Sequence, residues 1–409
     1  MVTFSVLPIE IQRECARHFD IQTLKQFRLS SRKASSIALE YLFHTIVLNF
    51  NDESAKRFNH VLDDGALKKM VRRAIVDGRD GHQDELYPEE SEEEDGDSDG
   101  DGVEDANEIK WPQTPWSIAI KRIAQFPKLR NAELWMQDEC YEWDYAGSSC
   151  DQDPEYRQVY QTRFFQALKD ATAIDSLTLN NAQDAIITST GTEEATDALR
   201  SRIKSFHIMI ATDVCHGSPE NKVDQVELHQ CFNFLLRTHW LDPFQNQLTH
   251  LTLYCDTYWG VYPFTDLRGI HFPCLVSLAL GNLSVAHDWQ FDWITSHGET
   301  LEELILDDVC IVYAMVMPKE MLNANWPNEV PNPDDDTCKH YLTRWDEVFD
   351  DFRLDLPKLK RFGMGHGEWH NKMFEARYDL PARIEWTRYM TYYSGIGPSQ
   401  WTEEFSYHR

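Results

Sequence analysis

AIDSLTLNN (173–181), QLTHLTLYC (247–255), CLVSLALGN (274–282) and TLEELILDD (300–308) are four versions of one nine-residue pattern. Each has an apolar residue at its second, fifth and seventh places, an L-x-x-L-x-L spacing. In all but the last, where Ile305 intervenes, the fifth and seventh places alternate with polar or small residues, the period-two signature of a strand with one face inward. Working outward from these, similar triplets begin at 43, 71, 129, 174, 203, 248, 275, 301 and 359. Three are announced by an apolar-Pro-x-Leu step: Phe126-Pro127-Lys128-Leu129, Phe272-Pro273-Cys274-Leu275 and Leu356-Pro357-Lys358-Leu359.

Successive starts are 28, 58, 45, 29, 45, 27, 26 and 58 residues apart. Half of these steps fall within the ~20–29-residue period of leucine-rich repeats. The 58-residue steps hold two units each, and the 45-residue steps one unit plus an insertion. Between triplets lie helical patterns at 116–126, 156–170, 226–240 and 341–352. Strand, helix, strand in succession returns the chain to the same end each time and predicts parallel pairing. These units resemble irregular leucine-rich repeats, with the asparagine that follows the strand present as Asn181 and Asn282. The resemblance implies an α/β class and a curved solenoid over 49–368 with parallel strands on its concave face. The alternate strand residues should stand on that face. Trp135, His207, Thr252, Tyr254 and Asp307 are the candidate contacts for a protein substrate, Trp135 and Tyr254 foremost because aromatic side chains dominate interface hot spots. The aromatic stretch 369–409 has no triplet and reads as a cap on the last repeat.

Residues 1–48 have a different period. Leu7, Ile11, Cys15 and Phe19 recur every fourth residue, with Pro8 placed where a first helical turn tolerates it. Asp20 can cap a helix over Ile21–Leu29, and Ser30 or Ser31 a third in which Ile37, Ala38, Tyr41 and Leu42 face inward. FHTIVL (43–48) then reads as a strand. Three such helices make a thin core, since about 40 residues is near the lower limit for independent folding. They should therefore dock on the rest of the chain, on a partner, or on both.

This segment resembles an F-box in Leu7-Pro8, Glu10-Ile11, Asp20 with Leu24, Leu29-Ser30-Ser31-Arg32 and Tyr41-Leu42-Phe43. The resemblance, in a style common among filamentous fungi, implies docking on the Skp adaptor of a Skp–cullin–F-box ubiquitin ligase. By analogy the adaptor contacts are Leu7, Pro8, Ile9, Ile11, Leu24 and Leu29. The expected function is a substrate receptor without catalysis of its own; the alternative is a stand-alone repeat scaffold whose helices merely cap it.

Charge sets further bounds. The 409 residues carry a formal charge of −29. Residues 84–108 hold 14 of the 68 acidic residues and no Lys or Arg; outside them 39 basic face 54 acidic residues. Such a field repels phosphate polymers, so nucleic acid is not an expected partner. The acidic run reads as a solvated insertion, and Ser91 and Ser98, followed by acidic residues, as sites for an acidophilic kinase. A second insertion is expected over 318–340, where ANWPNEVPNPDDD lies.

Nine scattered cysteines without a CxxC pair fit reduced thiols, and the start MVTFSVLPIEIQREC lacks the layout of a secretory signal. A cytoplasmic or nuclear protein is expected. CIVYAMVM (310–317) is far too short to cross a bilayer. Neither a GxSxG elbow nor a P-loop occurs, and His366 and His370 lack the order of a zinc-protease helix. Neither a cofactor nor a metal is expected.

Overall fold

A computed structural model describes residues 7–82, 113–138, 152–184, 190–212, 226–261, 263–317, 337–365, 388–392 and 395–401. Ser91, Ser98, His366 and His370, and nearly all of both proposed insertions, lie outside the described residues. Helices α1 (Ile9–Arg17), α2 (Ile21–Ser30) and α3 (Arg32–Leu42) open the chain. The strands are β1 Thr45–Asn49, β2 Arg73–Asp77, β3 Asn131–Trp135, β4 Ser176–Gln183, β5 Ser205–Ala211, β6 His250–Cys255, β7 Ser277–Gly281, β8 Ser284–Val285, β9 Glu303–Asp307, β10 Cys310–Met317, β11 Thr337–His340, β12 Arg361–Gly365, β13 Arg388–Tyr392 and β14 Gly395–Trp401.

Nine of them form one sheet in the order β1-β2-β3-β4-β5-β6-β7-β9-β12. Its neighbours run parallel, residue against equivalent residue: Thr45 pairs with Arg73, Arg73 with Asn131, His250 with Ser277, and Ser277 with Glu303. Each strand starts two residues after the triplet start read from the sequence. The cause is visible in the hydrogen bonds. The two N–H groups entering a strand both donate to one carbonyl of the unit before: Arg72 and Arg73 to His44, Val276 and Ser277 to Thr249, Glu302 and Glu303 to Val276, Lys360 and Arg361 to Glu302. This repeated entry fixes the register.

The chain divides into two compact units. The first holds residues 1–137, 155–178 and 188–202. Its triplets Val71/Ala74/Val76 and Leu129/Ala132/Leu134 are buried to 2 % exposure or less. Phe58 meets Phe126 edge to face at 5.3 Å. The helix Pro154–Leu168, expected at 156–170, is buried on nearly every side, and Tyr160 lies 4.5 Å from Phe50. The 116–126 pattern forms a short helix, Pro115–Ile120, capped by Thr114, and then one 3₁₀ turn.

The second unit holds residues 138–154, 179–187 and 203–409. Here Leu248/Leu251/Leu253, Leu275/Leu278/Leu280 and Leu301/Leu304/Leu306 are fully buried. Chain exits from strands take a left-handed turn at Asn282 (φ 54°) and Asp308 (φ 54°), and Asn181 (φ 59°) takes the same conformation within β4. Asn and Asp tolerate that backbone region better than other residues with a Cβ. Asn282 adds a reason of its own: its Nδ2 donates to the Cys255 carbonyl at 2.7 Å, tying one strand exit to the next. Among the described residues the end strand β12 pairs with β9 alone, and Phe362 in it is exposed.

A smaller sheet in this unit pairs β10 with β8, β11 and β13, and β13 with β14. The described parts of the C-terminal stretch are strands: β13 pairs with Cys310–Met317, and β14 pairs with β13. The helices Asp52–Asp63, Thr190–Arg200 and Asp288–Thr295 were not anticipated from periodicity. Among the described residues no helix is long and apolar enough to cross a membrane. Cys15, Cys231, Cys255, Cys274 and Cys310 are free thiols, and burial raises the pKa of Cys231, Cys255 and Cys310.

Candidate functional site

Two places carry the candidate residues: the helical unit and the alternate positions of the strands. In the helical unit, capping follows the sequence. Asp20 Oδ1 accepts from the Thr23 N–H at 2.7 Å, and this bond holds its carboxyl below the usual range. Ser31 Oγ accepts from the Ala34 N–H at 3.1 Å. Arg13 grips Glu40 through Nε and Nη2 at 3.1 and 2.8 Å, and the Tyr41 hydroxyl donates to the Arg13 carbonyl at 2.8 Å, so α1 is clamped to α3.

The core of this unit is small: Ala16, Leu24, Ile37 and Ala38, flanked by Ile9, Phe19, Phe27, Tyr41 and Leu42. Leu24, expected to contact an adaptor, packs in this core. It shares the inner side of α2 with Phe27, which meets Phe19 edge to face at 5.6 Å. Ile9 packs against the same core, and Leu7 is half-buried.

The other candidates face out. Pro8 is exposed, Ile11 is 49 % exposed and Leu29 73 %. The inner side of α1 is made instead by Gln12 and Ala16, and Gln12 Nε2 donates to the Leu7 carbonyl at 2.6 Å. Of the four-residue apolar stripe of the sequence only Ile11 is exposed; Leu7 and Cys15 are half-buried and Phe19 packs against the core. Ile21, 64 % exposed, was missed. It lies eight residues before Leu29, about 80° around the helix, while Leu24 and Phe27 form the inward pair. Dividing α2 into those two sides would have found it.

The strand candidates differ from expectation in exposure. Trp135, His207, Thr252, Tyr254 and Asp307 are all buried. Parallel sheets are usually covered on both faces, and in β3–β7 and β9 both sets of alternating residues are packed. The five candidate side chains are thus packed rather than open, and Trp135, His207 and Thr252 among them are hydrogen-bonded.

In the first unit, fully buried Glu133 accepts from Arg73 Nε at 2.6 Å, Asn131 Nδ2 at 3.0 Å and Trp135 Nε1 at 3.1 Å. Arg79 holds Asp77 through two nitrogens at 2.9 and 2.8 Å, and its guanidinium carbon lies 4.7 Å from the Trp135 ring centre. In the second unit, His207 bridges Ser205 Oγ (2.7 Å) and Thr252 Oγ1 (2.9 Å). Burial, and then the charge of Asp307, raise the Tyr254 phenol above its usual range.

Tyr254 also explains a glycine. A Cβ on Gly281 would fall 1.8 Å from the Tyr254 ring, and that ring is buried with nowhere to swing. Gly281→Ala is expected to destabilise the second unit by about 1–3 kcal/mol, the usual cost of overpacking. Denaturant titration checks this; an unchanged midpoint would show that Tyr254 yields freely.

Among the described residues no group of three or more His, Cys, Asp or Glu side chains could hold a metal ion. Compared with known proteins, the chain matches no family model and no curated relative.

Proposed function

We propose that the chain is a non-catalytic substrate receptor of a Skp–cullin–F-box ubiquitin ligase. In this reading α1–α3 dock on the Skp adaptor, and a leucine-rich-repeat solenoid behind them holds a protein substrate. One observation carries it: Pro8, Ile11, Ile21 and Leu29 stay exposed on a unit whose own core is only a few side chains deep. Scattered exposed apolar residues need no explanation, but four within the first 29 residues, two of them on one side of α2, suit burial against a second polypeptide. A helical face with apolar anchors is a common docking mode.

The mechanism is proximity. One end of the chain holds the ligase and the other the target, so the target's lysines meet the transferred ubiquitin at high effective concentration. Nothing in this role needs a reactive side chain. Action in the cytoplasm or nucleus belongs to the same proposal.

The test is affinity purification of the full chain against Leu7→Asp/Pro8→Ala. Recovery of the Skp adaptor with the wild type and its loss from the variant is the expected result. Equal recovery from both, or none from either, removes the ligase reading and leaves a stand-alone scaffold.

A further inference from the structure

The acidic chain contains a basic cleft. It has a volume of about 950 Å³ and lies wholly within the first compact unit, between the helices α1 and α3 and the residues that precede β1, β2 and β3. Arg13, Glu40, His44, Lys69, Arg72 and Lys128 line it. Sequence does not cluster these residues; strand register does. The Arg72 and Arg73 N–H groups donate to the His44 carbonyl at 2.9 and 3.1 Å, and those of Arg130 and Asn131 to the Arg72 carbonyl at 2.8 and 2.9 Å. Whatever side chains precede successive strands must therefore stack along one edge. Here they are largely cationic.

The charges in the cleft do not cancel. Among the described residues Glu40 is its one lining carboxylate, and it is already held by two nitrogens of Arg13. Arg72 Nη1 donates to the carbonyls of Lys69 at 2.8 Å and Val71 at 3.1 Å. Those bonds aim the guanidinium without neutralising it. Among the described residues Lys69, Arg72 and Lys128 form no ion pair with a carboxylate. Lys69 and Lys128 are exposed. The surroundings register the field: burial, then the charges of Arg72 and Arg73, lower the pKa of His44.

The geometry asks for a compact anion with several acceptor oxygens. A single carboxylate brings one charge. A phosphate monoester brings about −1.5 to −2 and three oxygens, which suits one guanidinium and two ammonium groups. The net charge of −29 on the chain decides what carries that phosphate. A nucleic acid would extend its charges out of the cleft into a repelling field, whereas a peptide brings its phosphate to one spot within a Debye length of about 8 Å. We propose that this cleft binds a phosphoserine or phosphothreonine side chain on a peptide segment of another protein. The proposal does not depend on adaptor docking: it uses none of the exposed apolar residues.

The experiment is fluorescence anisotropy of the full chain with a pool of short peptides of randomised flanks and a central phosphoserine. The same pool without phosphate, inorganic phosphate and a single-stranded oligonucleotide serve as competitors. The phosphorylated pool should bind at least about tenfold tighter than its twin and weaken as salt rises. Lys69→Gln/Lys128→Gln should lose about tenfold or more of that affinity. Both lysines are exposed, and an unchanged melting curve confirms that the variant is folded. Arg72→Lys, which keeps the charge and loses the fork, should weaken binding less than the double variant. Equal binding of both pools, full affinity in the double variant, or displacement by phosphate or oligonucleotide at the concentrations at which the peptide binds would each overturn the proposal.

Discussion

Glu133→Ala is expected to destabilise the first unit by about 3–5 kcal/mol, the usual cost of removing one partner of a buried ion pair. Glu133 is fully buried, and its partner Arg73 has a side chain only 12 % exposed. The carboxylate also accepts from Asn131 and Trp135, so one truncation strands three donors. Arg73 cannot reach bulk water without leaving the strand edge, and its charge would stay poorly solvated. Glu133→Gln keeps an acceptor for Trp135 and should cost less, about 1–3 kcal/mol. For a domain of this size the alanine variant should melt about 10 °C lower. Thermal unfolding followed by circular dichroism reads both. If the alanine variant melts within a degree or two of wild type, the network is not the keystone that its distances imply.

The second large effect is a pH dependence in the other unit. His297 is 1 % exposed, stacks on His271 at 4.9 Å, and has Trp293 edge-on at 5.2 Å. Its Nε2 accepts from the Phe272 N–H at 3.2 Å, which requires that nitrogen to be unprotonated. Burial, and then the neighbouring His271, lower its pKa from 6.5 to about 4. The folded state therefore binds fewer protons than the unfolded state between these two values. Stability is full above pH 6.5 and declines as the pH falls toward 4. The loss should reach about 3 kcal/mol, at 1.36 kcal/mol per pKa unit. His297→Gln removes the titration while keeping an acceptor, so denaturant titrations across this range should show a shallower decline for the variant. Parallel curves for the two proteins would contradict the assignment.

Most of the sheet could be read in advance because its signal is local and repeated. An apolar residue, two spacers and an alternating pair recur nine times, and each recurrence begins two residues before a strand. Helix caps at Asp20 and Ser31 were equally legible, since a short polar side chain before an apolar run has one common use. Burial was harder. Alternation says that Trp135 and Tyr254 share a face with neighbours; it does not say whether that face is open or covered. Likewise the stripe Leu7, Ile11, Cys15 fits either a core or a docking surface, because both require the same chemistry. That Gln12 turns inward and bonds the Leu7 carbonyl while Ile11 turns outward is not written in that spacing. The basic cleft was illegible for a further reason. Arg13, Lys69, Arg72 and Lys128 are spread over more than a hundred residues and meet only through strand register.

Isothermal titration of a purified Skp-type adaptor into the purified full chain reaches the central claim most directly. Wild type should bind with a stoichiometry of one. Ile11→Asp/Leu29→Asp, which alters two exposed side chains and no core residue, should bind at least about tenfold more weakly at an unchanged melting temperature. Absence of binding by wild type, or equal affinity in the two proteins, would contradict it.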